Sequence, residues 1–308
     1  MRPNILVLYY SQTGQLRQIL DSIIQDIKGE AEIDYAAIEP LKPFPFPWNA
    51  YNFFDAMPET VARIPIEVKP LPQEIVNKNY DLIIFGFQPW FLNPSQPTTS
   101  FFKSPSAIVL KNKAVVTVIG ARNMWLHAQE KVKEDLQNAG AKLVGNIALV
   151  DTNTNLVSLL SFIRFAFNGV KERTRFLPAA GVQEADIKHA RRFGKPIYEH
   201  LIDKNLESLQ KDLLDQGAIQ LNTGLVLLEQ RGIKNFRYWS KYIREKGGPG
   251  DPNRKGRVKQ FKNLLLTAIF VLSPISSLSA FIKTQLKKRS LQKDVVYFKE
   301  LEYQPGRI

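Results

Sequence analysis

The feature that most constrains the fold is an alternation, over residues 1–150, between short apolar runs and segments of helix length. "NILVLYY" (4–10), "YDLIIFGF" (80–87), "AVVTVIG" (114–120) and "AKLVGNIALV" (141–150) are mostly β-branched or apolar, with turn residues beside them. Apolar runs of that length without strict alternation suit strands covered on both faces, which is the situation of a parallel sheet. "EIDYAAIE" (32–39) alternates more regularly, as an edge strand does. Residues 16–28 and 125–139 carry apolar side chains at helical spacing, and Gly140 stands where the second segment would stop. Strand, helix, strand in succession implies right-handed crossovers, and so a doubly wound α/β sheet.

One stretch breaks the rhythm. Residues 40–72 contain "PLKPFPFPW" and "YNFFDAMPETVARIP", too rich in proline for a regular element yet full of aromatic rings. Such an excursion either covers a site or is a surface loop anchored by its Phe and Trp, and the sequence leaves both open. After residue 150 the pattern turns helical. Past about residue 205 it becomes basic and aromatic, which divides the chain into an α/β unit (1–204) and a helical C-terminal region (205–308).

Composition then excludes several chemistries. A chain of 308 residues with 44% hydrophobic content buries a full core, and its lack of cysteine rules out disulfides, thiolate metal sites and a cysteine nucleophile. The three histidines are too far apart in sequence for a ligand cluster, so no metal is expected. The chain enters a strand within a few residues, without the pattern of a secretory leader, and is read as cytoplasmic. Its formal charge of +13 is concentrated in "RGIKNFRYWSKYIREKGG" and "NRKGRVKQFK", which calls for an acidic partner surface. Residues 263–282 carry no charge and approach the ~20 residues of a membrane span. Pro274, a cluster of serines and cations on both flanks favour instead an interfacial helix pair, with a buried helix as the alternative. An anionic membrane surface, met through residues 231–293 on the inner face of the cytoplasmic membrane, accounts for cations and apolar run together. Nucleic acid, for which no motif is present, does not.

In an open parallel sheet, ligands sit beyond the carboxyl ends of the strands. The first loop there holds Ser11, Gln12, Thr13, Gly14 and Gln15: hydroxyls, free backbone N–H groups and a helix start, suited to a phosphate, or simply a helix cap. The second, "QPWFLNPSQPTTSFF", offers Gln88, Pro89, Trp90 and Phe91, with two aromatic rings for stacking on a flat ligand. The third, "GARNMW", offers Gly120 and Ala121 for close backbone approach, Arg122 and Asn123 for polar contact, and Trp125 as a wall. A phosphate end and aromatic walls together describe a site for flavin mononucleotide (FMN).

The first loop resembles the Ser/Thr-x-Thr-Gly-x-Thr phosphate loop of the flavodoxin-like fold: Ser11, Thr13 and Gly14 match, and the final hydroxyl is replaced by Leu16. "NAGAKLVG" resembles that family's helix-to-strand return. "VLYYSQTGQL", "FFDAMPE", "FQPWFLNPSQPTT", "IGARNMWLHAQEKVK", "LVGNIALVD" and "PAAGV" resemble the flavodoxin-like proteins of bacterial dialkylresorcinol and flexirubin-type pigment pathways, often labelled condensing enzymes. The resemblance implies a five-stranded sheet of order 2-1-3-4-5, an FMN cofactor and a lipophilic substrate supplied by a ketosynthase of the same pathway. A chain without cysteine lacks the nucleophile of acyl condensation. The implied role is therefore flavin-dependent oxidation of a dialkylcyclohexanedione to the resorcinol. His127 as base, Arg122 as enolate partner and Asp55 from the excursion are the candidate catalytic residues. A quinone or flavin reductase using a nicotinamide, and a non-catalytic partner of the ketosynthase, are the competing readings.

Overall fold

The computed structural model describes residues 2–221, 223–270 and 288–307. Five strands form one parallel sheet: β1 (Asn4–Tyr9), β2 (Glu32–Ala37), β3 (Leu82–Phe87), β4 (Ala114–Ala121) and β5 (Lys142–Val150). Their order is β2-β1-β3-β4-β5, the flavodoxin-like variant of the doubly wound sheet, as the resemblance implied. All six residues of β3 are buried and β2 is half-exposed, which matches a central and an edge position. The order reverses between β1 and β3, and this is where such a sheet opens a crevice at its carboxyl ends.

Both faces are covered. Helix α1 (Gln15–Ile24) lies on one of them, with Leu16 and Ile19 against the place where Gly120 of β4 has no side chain. A Cβ on Gly120 would stand 3.4 Å from each of their Cδ1 atoms. Leu16 is thus a core residue, and this explains the missing hydroxyl of the first loop. Residues three apart on a strand point to opposite faces. Thr117 accordingly faces the other way, where it accepts a hydrogen bond from Gln129 of α6 (Leu126–Asn138) at 3.0 Å. Between α1 and α6 the chain forms α2 (Ala50–Asp55), α3 (Met57–Val61), α4 (Gln73–Asn77) and α5 (Gln96–Phe102). The excursion is more regular than its prolines suggest. Half of them fall before Asn49, whose side chain caps α2 by accepting the Asn52 N–H at 2.7 Å, and Pro58 sits in the first turn of α3, where no N–H is needed.

Beyond β5 follow α7 (Asn155–Asn168), α8 (Glu184–His189), α9 (Gly194–Ile202), α10 (Leu209–Asp215), α11 (Thr223–Arg244), α12 (Lys255–Phe270) and α13 (Lys288–Lys299). The division drawn at residues 204 and 205 falls between α9 and α10, and Ile197 and Leu213 on either side share the principal core. Ile219 bridges to Ala148 of β5, while Tyr297 and Phe298 of α13 enter the same core. A second core joins the excursion to the C-terminal helices: Phe54 and Met57 meet Ile243, Val258 and Phe261. At its margin Arg254, fully buried, binds Asp55 through Nε (2.7 Å) and Glu59 through Nη1 (2.7 Å). Of the uncharged run 263–282, residues 263–270 end α12 and the remainder lie outside the described residues. Among the described residues, no helix is long and apolar enough to cross a membrane.

Candidate functional site

The first loop delivers its polar groups to the crevice by a single conformational choice. Gly14 takes a left-handed conformation (φ 79°) that other residues adopt only at a cost of about 1–2 kcal/mol. α1 then begins, and its first ladder bond runs from the Gln18 N–H to the Gly14 carbonyl (3.1 Å). The N–H groups of Gln15, Leu16 and Arg17 precede that ladder and are left for another acceptor at the positive end of the helix. Ser11 Oγ is buried and has no hydrogen-bond partner. Two segments close the loop from its sides. Gln15 exchanges hydrogen bonds with Val182, accepting its N–H at 3.0 Å and donating to its carbonyl at 3.1 Å. Gln12 donates to the Pro45 carbonyl (3.3 Å) and accepts from the Trp48 indole (3.4 Å).

The second loop is a tight hairpin in which Trp90 pairs with Asn93. Its central residues, Phe91 (φ 47°) and Leu92 (φ 65°), both have positive φ, the conformation of a type I′ turn normally left to Gly and Asn. Neighbours hold this strained turn. The Leu92 carbonyl accepts the His127 Nδ1–H at 2.9 Å, and the Phe91 ring lies 5.0 Å from that of Phe53 and 6.1 Å from that of Phe236. Trp90 meets Tyr10, Phe44 and Trp48 edge to face, at centroid distances of 5.9, 4.9 and 5.7 Å. The excursion therefore contributes two rings to the wall that Trp90 begins. Gln88 and Pro89 are half-buried beside it.

The third loop is joined to the helix that follows β5. Arg122 Nη1 and Asn123 Nδ2 both donate to Asn155 Oδ1, at 2.9 and 2.7 Å. Burial lowers the Arg122 pKa to about 10, offset by the charge of Asp151, so the group stays cationic at neutral pH. The Asp151 N–H is held by the carbonyls of Ala121 and Arg122, and its Oδ1 accepts from Asn153. From this anchor α7 runs toward the first loop: its Ala166 carbonyl accepts the Trp48 N–H at 2.7 Å, and Trp48 reaches Gln12. Asn155 to Ala166 spans about 16 Å at ~1.5 Å per residue, enough to cross the ~10 Å from β4 to β1. The helix is thus a roof over the strand ends.

Its rings at Phe162, Phe165 and Phe167 pack on Phe46 and Phe53 of the excursion, but its polar and apolar residues do not segregate cleanly. Ser158 and Ser161 are buried, whereas Leu156 and Leu160 are 49% and 36% exposed. Both serine hydroxyls lack partners, as do Asn123 Oδ1 and Asp151 Oδ2. With Ser11 Oγ, five buried polar atoms near the carboxyl ends of β1, β4 and β5 remain unsatisfied. Each costs about 1–3 kcal/mol if nothing pairs with it.

The candidate catalytic residues fall into different surroundings. His127 is 2% exposed and both its ring nitrogens are engaged: Nδ1 donates to Leu92 and Nε2 accepts from Arg237 at 3.2 Å. Burial lowers its pKa to about 4, and the ring is neutral. Its backbone N–H donates to Glu229 of α11 at 2.8 Å, and this carboxyl also receives the N–H groups of Leu126 and Trp125, capping α6 from outside. Burial raises the Glu229 pKa to about 7 against those hydrogen bonds. Asp55 is held by Arg254 and by the Gly250 N–H (2.8 Å), in the second core. Arg122 alone of the three lies among the unsatisfied groups. Trp125 is a buried member of the principal core. Sequence reasoning passed over Asp151, Ser158, Ser161 and Glu229. An Asp directly after a strand's carboxyl end was a usable signal for the first.

No protein-family model matches the chain, and no curated protein matches it. Among solved structures it is similar to one described as a flavoprotein from Bacteroides uniformis, at 16% identity over 51% of this chain and 95% of that one (TM-score 0.37). A flavodoxin from the domain Archaea matches at 12% identity over 65% and 99% of the two chains (TM-score 0.34). A flavone reductase matches at 11% over 65% and 64% (TM-score 0.35). Likeness at that level carries no chemistry across; what the site does rests on its own side chains.

Proposed function

We propose that the crevice holds FMN and that the protein is a flavin-dependent oxidoreductase. The observation carrying this reading is the set of buried unsatisfied groups on the first loop, the third loop, the end of β5 and α7. Their chemistry fits the ligand in two parts. Ser11 Oγ and the N–H groups that open α1 are donors and suit a phosphate; Asn123 Oδ1 is an acceptor and suits a hydroxyl or ring N–H group. Ser158 and Ser161 can serve either. Closure of the first loop by the segments around Val182 and Pro45 favours a ligand that ends at its phosphate, hence FMN.

Bound there, FMN supplies a two-electron acceptor. The substrate we infer is a dialkylcyclohexane-1,3-dione, which differs from the resorcinol by two hydrogens: one would leave as a proton to a base of this chain, the other with the electron pair that a bound flavin would take up. The family resemblance supports this, as does a chain without cysteine. Asp151 Oδ2 is the carboxylate oxygen free to accept the proton, Arg122 holds positive charge beside the enolate, and the aromatic wall around Trp90 excludes water. His127 orients the Phe91–Leu92 turn through its hydrogen bond to Leu92. A ketosynthase would supply the dione. Exposed Arg231, Lys234, Lys241 and Arg244 of α11 would face an anionic membrane. The test is to reconstitute the protein with FMN and add the dione without oxygen. Bleaching of the visible band with resorcinol formed in equal amount is expected, and bleaching only by a nicotinamide would contradict the assignment.

A further inference from the structure

The roof of the crevice presents a second surface that none of the chemistry above uses. Leu156, Leu160 and Arg164 lie at successive four-residue steps of α7 and so share one outward face. Arg164 organises the chain beyond the helix. Its guanidinium donates to the carbonyls of Val170 (3.2 Å), Glu172 and Pro178 (3.1 Å) and to Thr174 Oγ1 (3.0 Å). Residues 170–178 are thereby wrapped around a side chain of the roof helix and displayed beside its apolar face.

What this loop displays is unusual for a folded surface. Phe176 is 84% exposed, with the Arg175 guanidinium 5.5 Å from its ring centroid. Lys171, Arg173 and Arg175 stand against the single carboxylate of Glu172. Val170, at 39% exposure, adds to the leucines of the helix. Cations interleaved with exposed apolar side chains on a preorganised loop match the two components of an anionic bilayer surface, its headgroup charge and its acyl boundary. An acidic protein groove would repay the charges but leave Phe176 and the leucines to find a matching apolar pocket. Nucleic acid would repay the charges alone.

We propose that the outer face of α7 with the loop 170–176 docks on anionic lipid, as a contact separate from the basic face of α11. The roof helix itself would then rest on the phase in which a greasy substrate dissolves. This surface stands on its own residues and does not depend on what the crevice binds, so the two readings fail independently.

The test is sedimentation of the full-length protein with vesicles of pure phosphatidylcholine or of phosphatidylcholine and phosphatidylglycerol. The variants are Lys171→Gln/Arg173→Gln/Arg175→Gln, Phe176→Ser, and a reference variant Arg231→Gln/Lys234→Gln/Lys241→Gln on α11. All change side chains at the surface, and an unaltered melting temperature certifies the fold. Wild type is expected to partition onto the anionic vesicles only. The loop triple variant should bind roughly 100-fold more weakly, at roughly fivefold per cation, and Phe176→Ser should weaken binding several-fold without changing its salt dependence. The proposal is overturned if only the α11 variant loses binding. It is equally overturned if the loop variants lose affinity for duplex DNA while vesicle binding stays at the wild-type level.

Discussion

At the scale of single residues, the buried pair His127 and Glu229 sets a measurable pH signature. The histidine pKa is lowered from 6.5 to about 4, so it contributes stability that is present above 6.5 and lost as pH falls toward 4. The Glu229 pKa is raised from 4.5 to about 7, so it contributes stability that is present below 4.5 and lost as pH rises through 7. Between 4.5 and 6.5 the two slopes oppose one another, and wild-type stability is expected to be nearly flat there. Glu229→Gln keeps an acceptor for the α6 cap and removes one slope. Its unfolding free energy should fall by up to about 1.4 kcal/mol per pH unit as pH drops through that window, as read by urea denaturation. A flat profile in the variant would refute the assignment. Ser11→Ala probes the crevice in the opposite sense. It deletes an unsatisfied hydroxyl, so the unliganded protein should melt at the same or a higher temperature. Flavin affinity should nevertheless drop about 10-fold or more, the worth of a hydrogen bond to a charged group.

At the scale of elements, the strands were legible because burial on both faces writes itself as a continuous apolar run, as in "DLIIFGF". The roof helix was not. A reading by hydrophobic periodicity turns Leu156 and Leu160 inward, whereas the structure buries Ser158 and Ser161 with their hydroxyls unpartnered. Glu229 was also out of reach, because the His127 N–H it caps lies 102 residues earlier in the chain. The role of Asp55 turned on a partner 199 residues away. That buried ion cluster ties α2 and α3 to the turn just before α12. Arg254→Met should destabilise the protein by about 3–5 kcal/mol, since two carboxylates are left buried and unpaired. Adding Asp55→Asn and Glu59→Gln should restore most of the loss, and unfolding in denaturant distinguishes the two outcomes.

At the scale of the whole molecule, the excursion and the C-terminal helices are one construction built around the mouth of a doubly wound sheet. The excursion supplies Phe44 and Trp48 to the wall at Trp90 and Phe54 to a second core, which α11 and α12 complete. The same α11 caps α6 through Glu229 and steadies the Phe91–Leu92 turn through Arg237 and His127. The loops that the sequence singled out, at Ser11, Gln88 and Gly120, do lie at the carboxyl ends of adjacent strands. Their clustering follows from topology and was readable from it. The acceptors that complete the set, Asp151 above all, depended on how α7 folds back over them.

The most direct test of the central claim is titration of FMN into the purified protein, followed by quenching of flavin fluorescence and by the visible spectrum, in wild type and in Ser11→Ala. Saturable one-to-one quenching in the wild type, weakened about 10-fold or more by the loss of the Ser11 hydroxyl, is the result expected. Absence of binding by FMN and FAD alike, or binding indifferent to Ser11, would contradict a flavin in this crevice.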